Sequence, residues 1–156
     1  MPGRDDGGVA PHPDPTDAEV EATLRAAPPE RWRALAAAAD EVAAQPPAEW
    51  VRWEAGRRVD GVTQMPYPVY SDAVDRLHGA LGAVGAVVVF GWMDWEEGRR
   101  YDAAALVTAP AADAARVVTS IVRGERFGDG TIAAALDDGR LLAAARRLVE
   151  WWRSAQ

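Results

Sequence analysis

Apolar side chains recur at intervals of three and four residues along most of the chain, which is the period of an amphipathic helix. After Thr16, a residue type that caps helix N-termini, Val20 and Leu24 share this spacing. Pro28 and Pro29 end the first helix and are well placed to open a second. The apolar stripe of the second helix comprises Trp32, Leu35, Ala39 and Val42. The pattern therefore predicts two helices before residue 46.

The helical period weakens in the next part of the chain. A proline pair precedes Trp50 and Trp53, whose spacing of three predicts a short helix with both indole rings on one face and an end at Gly56. Residues 57–70 contain two prolines, one glycine and no helical period, with aromatic and aliphatic residues in between. This composition predicts an ordered loop or a short extended hairpin.

Helical spacing returns after Ser71, which can cap the new helix. The apolar stripe of this helix comprises Val74, Leu77, Leu81 and Val84. Residues 86–90 form a continuous apolar run that suits either a short buried strand or a buried apolar link. Asp94 and Glu97 have the spacing of a capping box ahead of a further helical stretch, and Asp102 can restart the helix.

Three more helices are predicted in the last third of the chain. Pro110 opens the first, which ends near Gly124. Thr131 or Asp129 caps a short second helix that stops at Gly139. The apolar stripe of the last helix comprises Leu141, Ala145, Leu148 and Trp152.

Together these elements predict a mostly α fold: a compact, irregular helical single domain over residues 17–156, with one short strand or extended hairpin. Ala occupies 33 of the 156 positions and Ile only two, which favours helices packed closely through small side chains over a β-branched sheet core. Residues 1–16 are rich in Gly, Pro and charge. We expect them to be a disordered lead, because they have too little apolar surface to offset the entropy of ordering.

The residue types that are absent exclude several kinds of chemistry. The chain has no Cys and no Lys, so thiol nucleophiles, disulfides, thiolate metal sites and lysine Schiff bases are excluded. No metal-ligand spacing surrounds His78, and no cofactor or metal is expected. The net charge of −7 disfavours nonspecific nucleic-acid binding. Without a membrane-length apolar run or an apolar signal segment, we expect a cytoplasmic protein that does not enter the membrane.

Three segments of the chain resemble a known bacterial family. They are Met-Pro-Tyr-Pro-Val-Tyr-Ser at residues 65–71, Phe-Gly-Trp-Met-Asp-Trp at residues 90–95, and Thr-Ser-Ile-Val-Arg-Gly-Glu-Arg-Phe-Gly-Asp-Gly at residues 119–130. In order and spacing they are similar to the domain of unknown function family 6508, and Arg-x-x-Arg-Phe-x-x-Gly is the most specific element. One departure is Gly91, where the family more usually has Asp. The resemblance implies a single bacterial domain and no particular chemistry.

Arg123 and Arg126 are the leading candidates for a functional site. Three residues apart at a helix end, they place two guanidinium groups on one side, beside Phe127 and a glycine-rich turn. Guanidinium groups bind phosphate or carboxylate at two points, so this pair predicts an anion site. The alternative is structural, with the arginines paired to Asp94 or Asp129 so that they hold loops over the core. The sequence leaves both interpretations open.

Aromatic residues supply the rest of the candidate site. Trp pairs of this spacing mainly bury large rings in an Ala-rich core, but Trp92 and Trp95, which flank Asp94, also suit stacking against a ligand. Tyr67 and Tyr70 belong to the first of the family-like segments. We expect the three segments to build one pocket or interaction face.

The function expected from these features is non-enzymatic recognition of a small anionic or nucleotide-like ligand, or of a partner protein. The candidate ligand-binding residues are Tyr67, Tyr70, Trp92, Asp94, Trp95, Arg123 and Arg126. The alternative is a small hydrolase-like or transferase-like enzyme for an anionic substrate, with Asp94 and His78 as acid or base. Nucleic-acid binding through the Arg-rich final helices ranks third.

Overall fold

Seven α-helices make up most of the computed structural model, which describes residues 12–156. The helices are α1 (Asp17–Ala26), α2 (Pro29–Ala44), α3 (Asp72–Ala83), α4 (Ala103–Leu106), α5 (Ala111–Glu125), α6 (Thr131–Asp137) and α7 (Arg140–Ser154). Short 3₁₀ helices span Pro47–Glu49, Trp92–Asp94 and Glu96–Arg100. The predicted mostly α, compact single-domain fold is confirmed. Across the described residues, every helix is too short or too polar to cross a membrane.

The core forms where α2 packs against α3 and α7, and where α7 packs against α5. Trp32 of α2 is fully buried, and its ring stacks on Trp152 of α7 with 5.8 Å between centroids and 6° between planes. Several alanines of α5 and α7 are buried as well, so the helices are held together by small side chains. The large Trp rings then fill volume that alanine leaves open, because protein interiors pack to high density.

A long antiparallel hairpin occupies residues 51–70, between α2 and α3. Its strands are β1 (Val51–Glu54), β2 (Arg58–Val59), β3 (Val62–Thr63) and β4 (Tyr67–Tyr70), with β1 paired to β4 and β2 to β3. Asp60 and Gly61 form the turn with φ values of 50° and 79°, the left-handed conformation of a two-residue type I′ hairpin turn. Of the loop or extended hairpin predicted for residues 57–70, the structure shows the hairpin, and its first strand begins earlier, at Val51.

The short helix predicted around Trp50 and Trp53 is wrong. Trp53 lies in β1, which pairs with β4 from Val51 opposite Tyr70 onward. Only Pro47–Glu49 is helical, as a 3₁₀ turn that Trp50 ends with φ of −65° and ψ of −38°. Trp50 is 9% exposed, whereas Trp53 in the extended strand is 50% exposed. Trp50 also donates its Nε1–H to the Val42 carbonyl at 2.9 Å. Pairing with a distant strand decided the conformation, and a local spacing of three does not reveal such pairing.

The apolar run at residues 86–90 is a link and not a strand, with Ala86 and Val88 buried and Val89 exposed. A side chain of α5 takes the place of a neighbouring strand: the Thr119 hydroxyl accepts the Val88 N–H at 2.9 Å and lies 3.1 Å from the Ala86 carbonyl. Thr119 itself is fully buried. Buried backbone groups need partners, and one hydroxyl supplies them here without a sheet.

Helix capping follows the sequence at some ends and departs from it at others. Ser71 accepts the Val74 N–H at the start of α3, as predicted, and Asp102 caps α4. The capping box expected from Asp94 is wrong, since the 3₁₀ helix that follows has no side-chain cap. Neither Thr131 nor Asp129 caps α6, because Gly130 occupies the cap position with φ of 92°. A more distant carboxylate caps α6 instead, as described below.

The first eleven residues of the predicted disordered lead lie outside the described residues. The last part of the lead contacts the domain at two points. The Asp14 carboxylate accepts the Gly91 N–H at 2.9 Å, and the Pro15 carbonyl accepts from the Arg116 guanidinium at 3.0 Å. The chain therefore enters α1 beside the segment that follows the apolar link.

The two tryptophans at the start of the hairpin provide a matched test of this fold. Trp50→Ala removes a buried ring and an indole hydrogen bond, so we expect a loss of about 3 kcal/mol in the free energy of unfolding. Trp53→Ala removes a half-exposed ring, and we expect about 1 kcal/mol. Urea unfolding of both variants measures the difference. Equal losses would contradict the strand and support a helix with both rings on one face.

Candidate functional site

A cavity of about 450 Å³ lies between the end of α5 and the segment that follows the apolar link. Its lining residues are Val89, Phe90, Trp92, Arg123, Arg126 and Phe127. Two of the three family-like segments therefore meet at one cavity. Its volume falls in the range of small-ligand sites, and its only charged lining groups are the two arginines.

The ends of secondary structure elements place these side chains. Arg123 lies in the last turn of α5, and Arg126 caps that helix with its N–H bonded to the Arg123 carbonyl at 3.2 Å. The chain then turns back, as the Gly128 N–H bonds to the Gly124 carbonyl at 2.9 Å. On the opposite wall, the 3₁₀ helix Trp92–Asp94 presents Trp92. Each wall of the cavity is thus formed by a short turn at the end of an element.

Aromatic contacts join the two walls. The rings of Trp92 and Phe127 lie 5.9 Å apart between centroids and are tilted by 43°. Phe90 meets Trp95 edge to face at 5.6 Å, and Trp95 stacks on Tyr101 at 6.0 Å. The wall that carries Trp92 is therefore built on a buried aromatic series, whereas Phe127 remains exposed.

Within residues 12–156, the guanidinium groups of Arg123 and Arg126 form no ion pair. Asp94 and Asp129, the partners considered in the structural alternative, therefore pair with neither arginine. Eight of the sixteen arginines in residues 12–156 form ion pairs and six more, like these two, form none, but only Arg123 and Arg126 line this cavity. Two neighbouring cations without a counter-ion at a cavity repel each other, and an incoming anion would relieve that repulsion.

Glu125, between the two arginines in sequence, is committed to another network. Its carboxylate accepts the Gly130 N–H at 3.0 Å, the Ile132 N–H at 2.7 Å and the Tyr70 hydroxyl at 2.8 Å. The Tyr70 hydroxyl in turn accepts the Ala133 N–H at 3.2 Å. Glu125 thus caps α6 and anchors the hairpin. Standard capping templates do not contain this spacing, so sequence reasoning missed Glu125.

Tyr70 is therefore placed in the network around Glu125 and does not line the cavity. Burial raises the pKa of its hydroxyl above the ordinary value of 10.0, and the hydrogen bond to Glu125 raises it further. The neutral hydroxyl is the form that can donate to the carboxylate. Through this hydrogen bond, Tyr70 of the hairpin helps to hold the turn that carries Arg123 and Arg126.

The other predicted site residues do not line this cavity. Trp95 lines a second cavity of about 500 Å³, which shares Trp92 with the first. Asp94 is exposed at the end of its 3₁₀ helix, and Tyr67 is exposed on β4 opposite Glu54. Of the seven predicted ligand-binding residues, the structure brings three together in the first cavity: Trp92, Arg123 and Arg126.

The groups considered for catalysis do not converge. His78 is exposed on α3 and lines neither cavity. Ser71 donates to Gln45 while it caps α3, and Ser120 donates to the Arg116 carbonyl. In the part of the chain that the structure describes, no three His, Asp or Glu side chains are grouped so that they could hold a metal ion.

A second polar cluster, which sequence reasoning did not find, lies at the other end of α5. Arg116 donates to Asp113 at 2.8 Å and to Asp17 at 2.6 Å, while Asp113 also accepts from the Tyr101 hydroxyl. Burial lowers the pKa of Arg116, but the two carboxylates outweigh that effect and raise it. Arg100 also pairs with Asp113 at 3.7 Å, so two cations face two carboxylates in this cluster, which ties α1 to α5.

Comparison with known proteins shows the family of the chain. The model of a family of unknown function, DUF6508, matches residues 27–154, which is most of the chain, so the protein belongs to this family. The family membership expected from the three segments is confirmed. Neither a curated protein nor a solved structure matches the chain.

The raised pKa of Tyr70 gives the network around Glu125 a pH signature. A hydroxyl whose pKa is higher in the folded state contributes stability below its ordinary pKa of 10.0 and loses it as the pH rises above that value. Tyr70→Phe should therefore cost about 1–2 kcal/mol near neutral pH, because two hydrogen bonds are lost. The difference from the parent should shrink above pH 10.0. Urea unfolding across this pH range measures both effects.

Tyr67→Phe is the matched control, because the exposed Tyr67 hydroxyl makes no hydrogen bond to the described residues. Its stability difference from the parent should stay small and constant with pH. A Tyr70→Phe difference that is equally flat would contradict the assigned network.

Proposed function

We propose that this member of the DUF6508 family is a binding module that accepts an anionic group between Arg123 and Arg126. The observation that carries the proposal is that two guanidinium groups without an ion pair within residues 12–156 line the same cavity. The engagement of Glu125 elsewhere supports the proposal, because its carboxylate already accepts the backbone N–H groups of Gly130 and Ile132. A bidentate phosphate or carboxylate would satisfy donors that otherwise face solvent.

The walls of the cavity favour a ligand with an apolar part beside its anionic group. Phe90, Trp92 and Phe127 line the cavity together with the arginines. Apolar walls exclude water from one side of an ion pair, which strengthens the attraction between ligand and guanidinium. The whole protein carries a net charge of −7, so this cavity is a local exception to the overall charge of the protein.

Substitution of the arginines tests the proposal. Since no described carboxylate would be stranded, Arg123→Gln and Arg126→Gln should each change the free energy of unfolding by less than about 1 kcal/mol. The parent should melt at a higher temperature with added phosphate, citrate or adenosine monophosphate, by an amount equivalent to about 2.7 kcal/mol at a hundredfold excess over Kd. Both variants should lose this shift. Differential scanning calorimetry measures stability and anion response together.

Arg33→Gln is the control, because Arg33 is exposed on α2 and forms no ion pair to the described residues. It should retain the full anion response. A parent without any response to the three anions would overturn the proposal, and so would variants that respond like Arg33→Gln.

A further inference from the structure

Two side chains that line the first cavity, Phe90 and Trp92, are separated by a single residue, Gly91. Gly91 has φ of −74° and ψ of 60°, and the Trp92 N–H bonds to the Phe90 carbonyl at 2.8 Å. These values describe an inverse γ-turn, a three-residue turn that sets the directions of both flanking residues. The shape of this wall therefore depends on what holds Gly91 in place.

The carboxylate of Asp14 holds Gly91. Its Oδ1 accepts the Gly91 N–H at 2.9 Å, although the two residues are 77 positions apart in the chain. A Cβ at Gly91 would lie 3.7 Å from Oδ2 and 3.9 Å from Oδ1, so both carboxylate oxygens pack against the turn. Asp14 is exposed and forms no ion pair within residues 12–156. Within that range, the γ-turn is therefore the group that this carboxylate engages.

The residues that follow Asp14 are anchored to α5, and we call residues 14–17 the arm. The Pro15 carbonyl accepts from the Arg116 guanidinium at 3.0 Å, and the Asp17 carboxylate accepts from it at 2.6 Å. Only 12% of the Arg116 side chain is exposed. Asp14 thus extends from a fixed backbone, which lowers the entropic cost of holding its carboxylate in one place.

The same arginine is linked to the cavity wall by a second series of contacts. Arg116 donates to Asp113 at 2.8 Å, and Asp113 accepts from the Tyr101 hydroxyl. The Tyr101 ring stacks on Trp95, which meets Phe90 edge to face. The arm and the wall are therefore connected directly at the γ-turn and again through this series.

We propose that Asp14 is a positioning residue for the anion site. By holding the γ-turn, it keeps Phe90 and Trp92 in the wall that faces the two arginines. Asp14 does not line the cavity itself. This inference rests on the proposed anion site and adds to it a residue that acts through the backbone of Gly91. Apolar walls strengthen the attraction between an anion and a guanidinium group by excluding water, so a displaced wall weakens that attraction.

The negative charge of Asp14 acts in the other direction, because a carboxylate near the cavity repels an anion. Salt screens exposed charges over about 10 Å, whereas the hydrogen bond acts directly on the turn. The two effects predict opposite results when the side chain is truncated. Loss of the hydrogen bond weakens anion binding, and loss of the charge alone strengthens it.

Isothermal titration calorimetry with citrate tests the role of Asp14 in the full chain. Asp14→Ala removes both the acceptor and the charge. We expect it to bind citrate about fivefold more weakly than the parent, as substitutions without direct ligand contact can do. Asp14→Asn keeps an oxygen acceptor for the Gly91 N–H without the charge, so it should bind citrate at least as tightly as the parent. Rescue by Asn distinguishes positioning from an effect of charge.

Nuclear magnetic resonance of the ligand-free protein reports on the turn itself. In Asp14→Ala, the Gly91 amide and Trp92 indole resonances should shift, because the hydrogen bond that holds the turn is lost. In Asp14→Asn, both shifts should be smaller. Urea unfolding should show that both variants are folded, since Asp14 is exposed.

Asp75→Ala is the matched control. Asp75 is exposed on α3, which lines neither cavity, and it forms no ion pair to the described residues. This substitution removes the same charge as Asp14→Ala and leaves the turn untouched. Citrate affinity and the Gly91 and Trp92 resonances should equal those of the parent.

The possible outcomes separate this inference from the proposed function. An Asp14→Ala variant that binds citrate as tightly as the parent, or more tightly, would overturn the positioning role while the anion site stands. An Asp14→Asn variant as weak as Asp14→Ala would also overturn it, because the acceptor would then not be the cause. A parent that does not bind citrate, or whose affinity is unchanged by Arg123→Gln and Arg126→Gln, would remove the anion site and this inference with it.

Discussion

The carboxylate of Glu125 is the contact on which the functional end of the molecule depends. It begins α6 by accepting the Gly130 and Ile132 N–H groups, and it holds the hairpin through the Tyr70 hydroxyl. Three charge-assisted hydrogen bonds of this kind are stronger than neutral ones and fix the direction of the turn between α5 and α6. Because the Glu125 carboxylate is engaged in these hydrogen bonds, it does not pair with Arg123 or Arg126, which lie on either side of it in the sequence. The carboxylate that holds the turn is therefore not a counter-ion for the two cations that line the cavity.

The two ends of α5 use charge in opposite ways. At its N-terminal half, Arg116 is surrounded by Asp113 and Asp17, and the buried cation is matched by carboxylates. Such a matched group contributes to the packing of α1 against α5 and leaves no charge for a ligand. At the C-terminal end, Arg123 and Arg126 have no such partner within the described chain. The contrast between matched and unmatched arginines on one helix is the physical basis for placing recognition at one end only.

Packing through small side chains explains why so many large apolar residues remain at the surface. Alanine-rich helices approach closely and need few bulky residues between them, and Trp32 with Trp152 fills much of what remains. The Val and Met residues of the hairpin and cavity rim have no place in that core.

The sequence by itself determined the helices and the shape of the hairpin, because those depend on local rules. Proline pairs, the Ser71 and Asp102 caps and three-to-four spacing are short-range signals, and the Asp60–Gly61 turn needs only its own residues. Tertiary structure alone decided the rest. Trp53 became extended because β1 pairs with the distant strand β4, and the Thr119 hydroxyl bonds the backbone of residues 86–90 where a strand would otherwise pair. Local sequence likewise does not decide whether Arg123 and Arg126 are paired. That depends on which carboxylates the fold brings near them, and on which carboxylates, like Glu125, are already bonded to other groups.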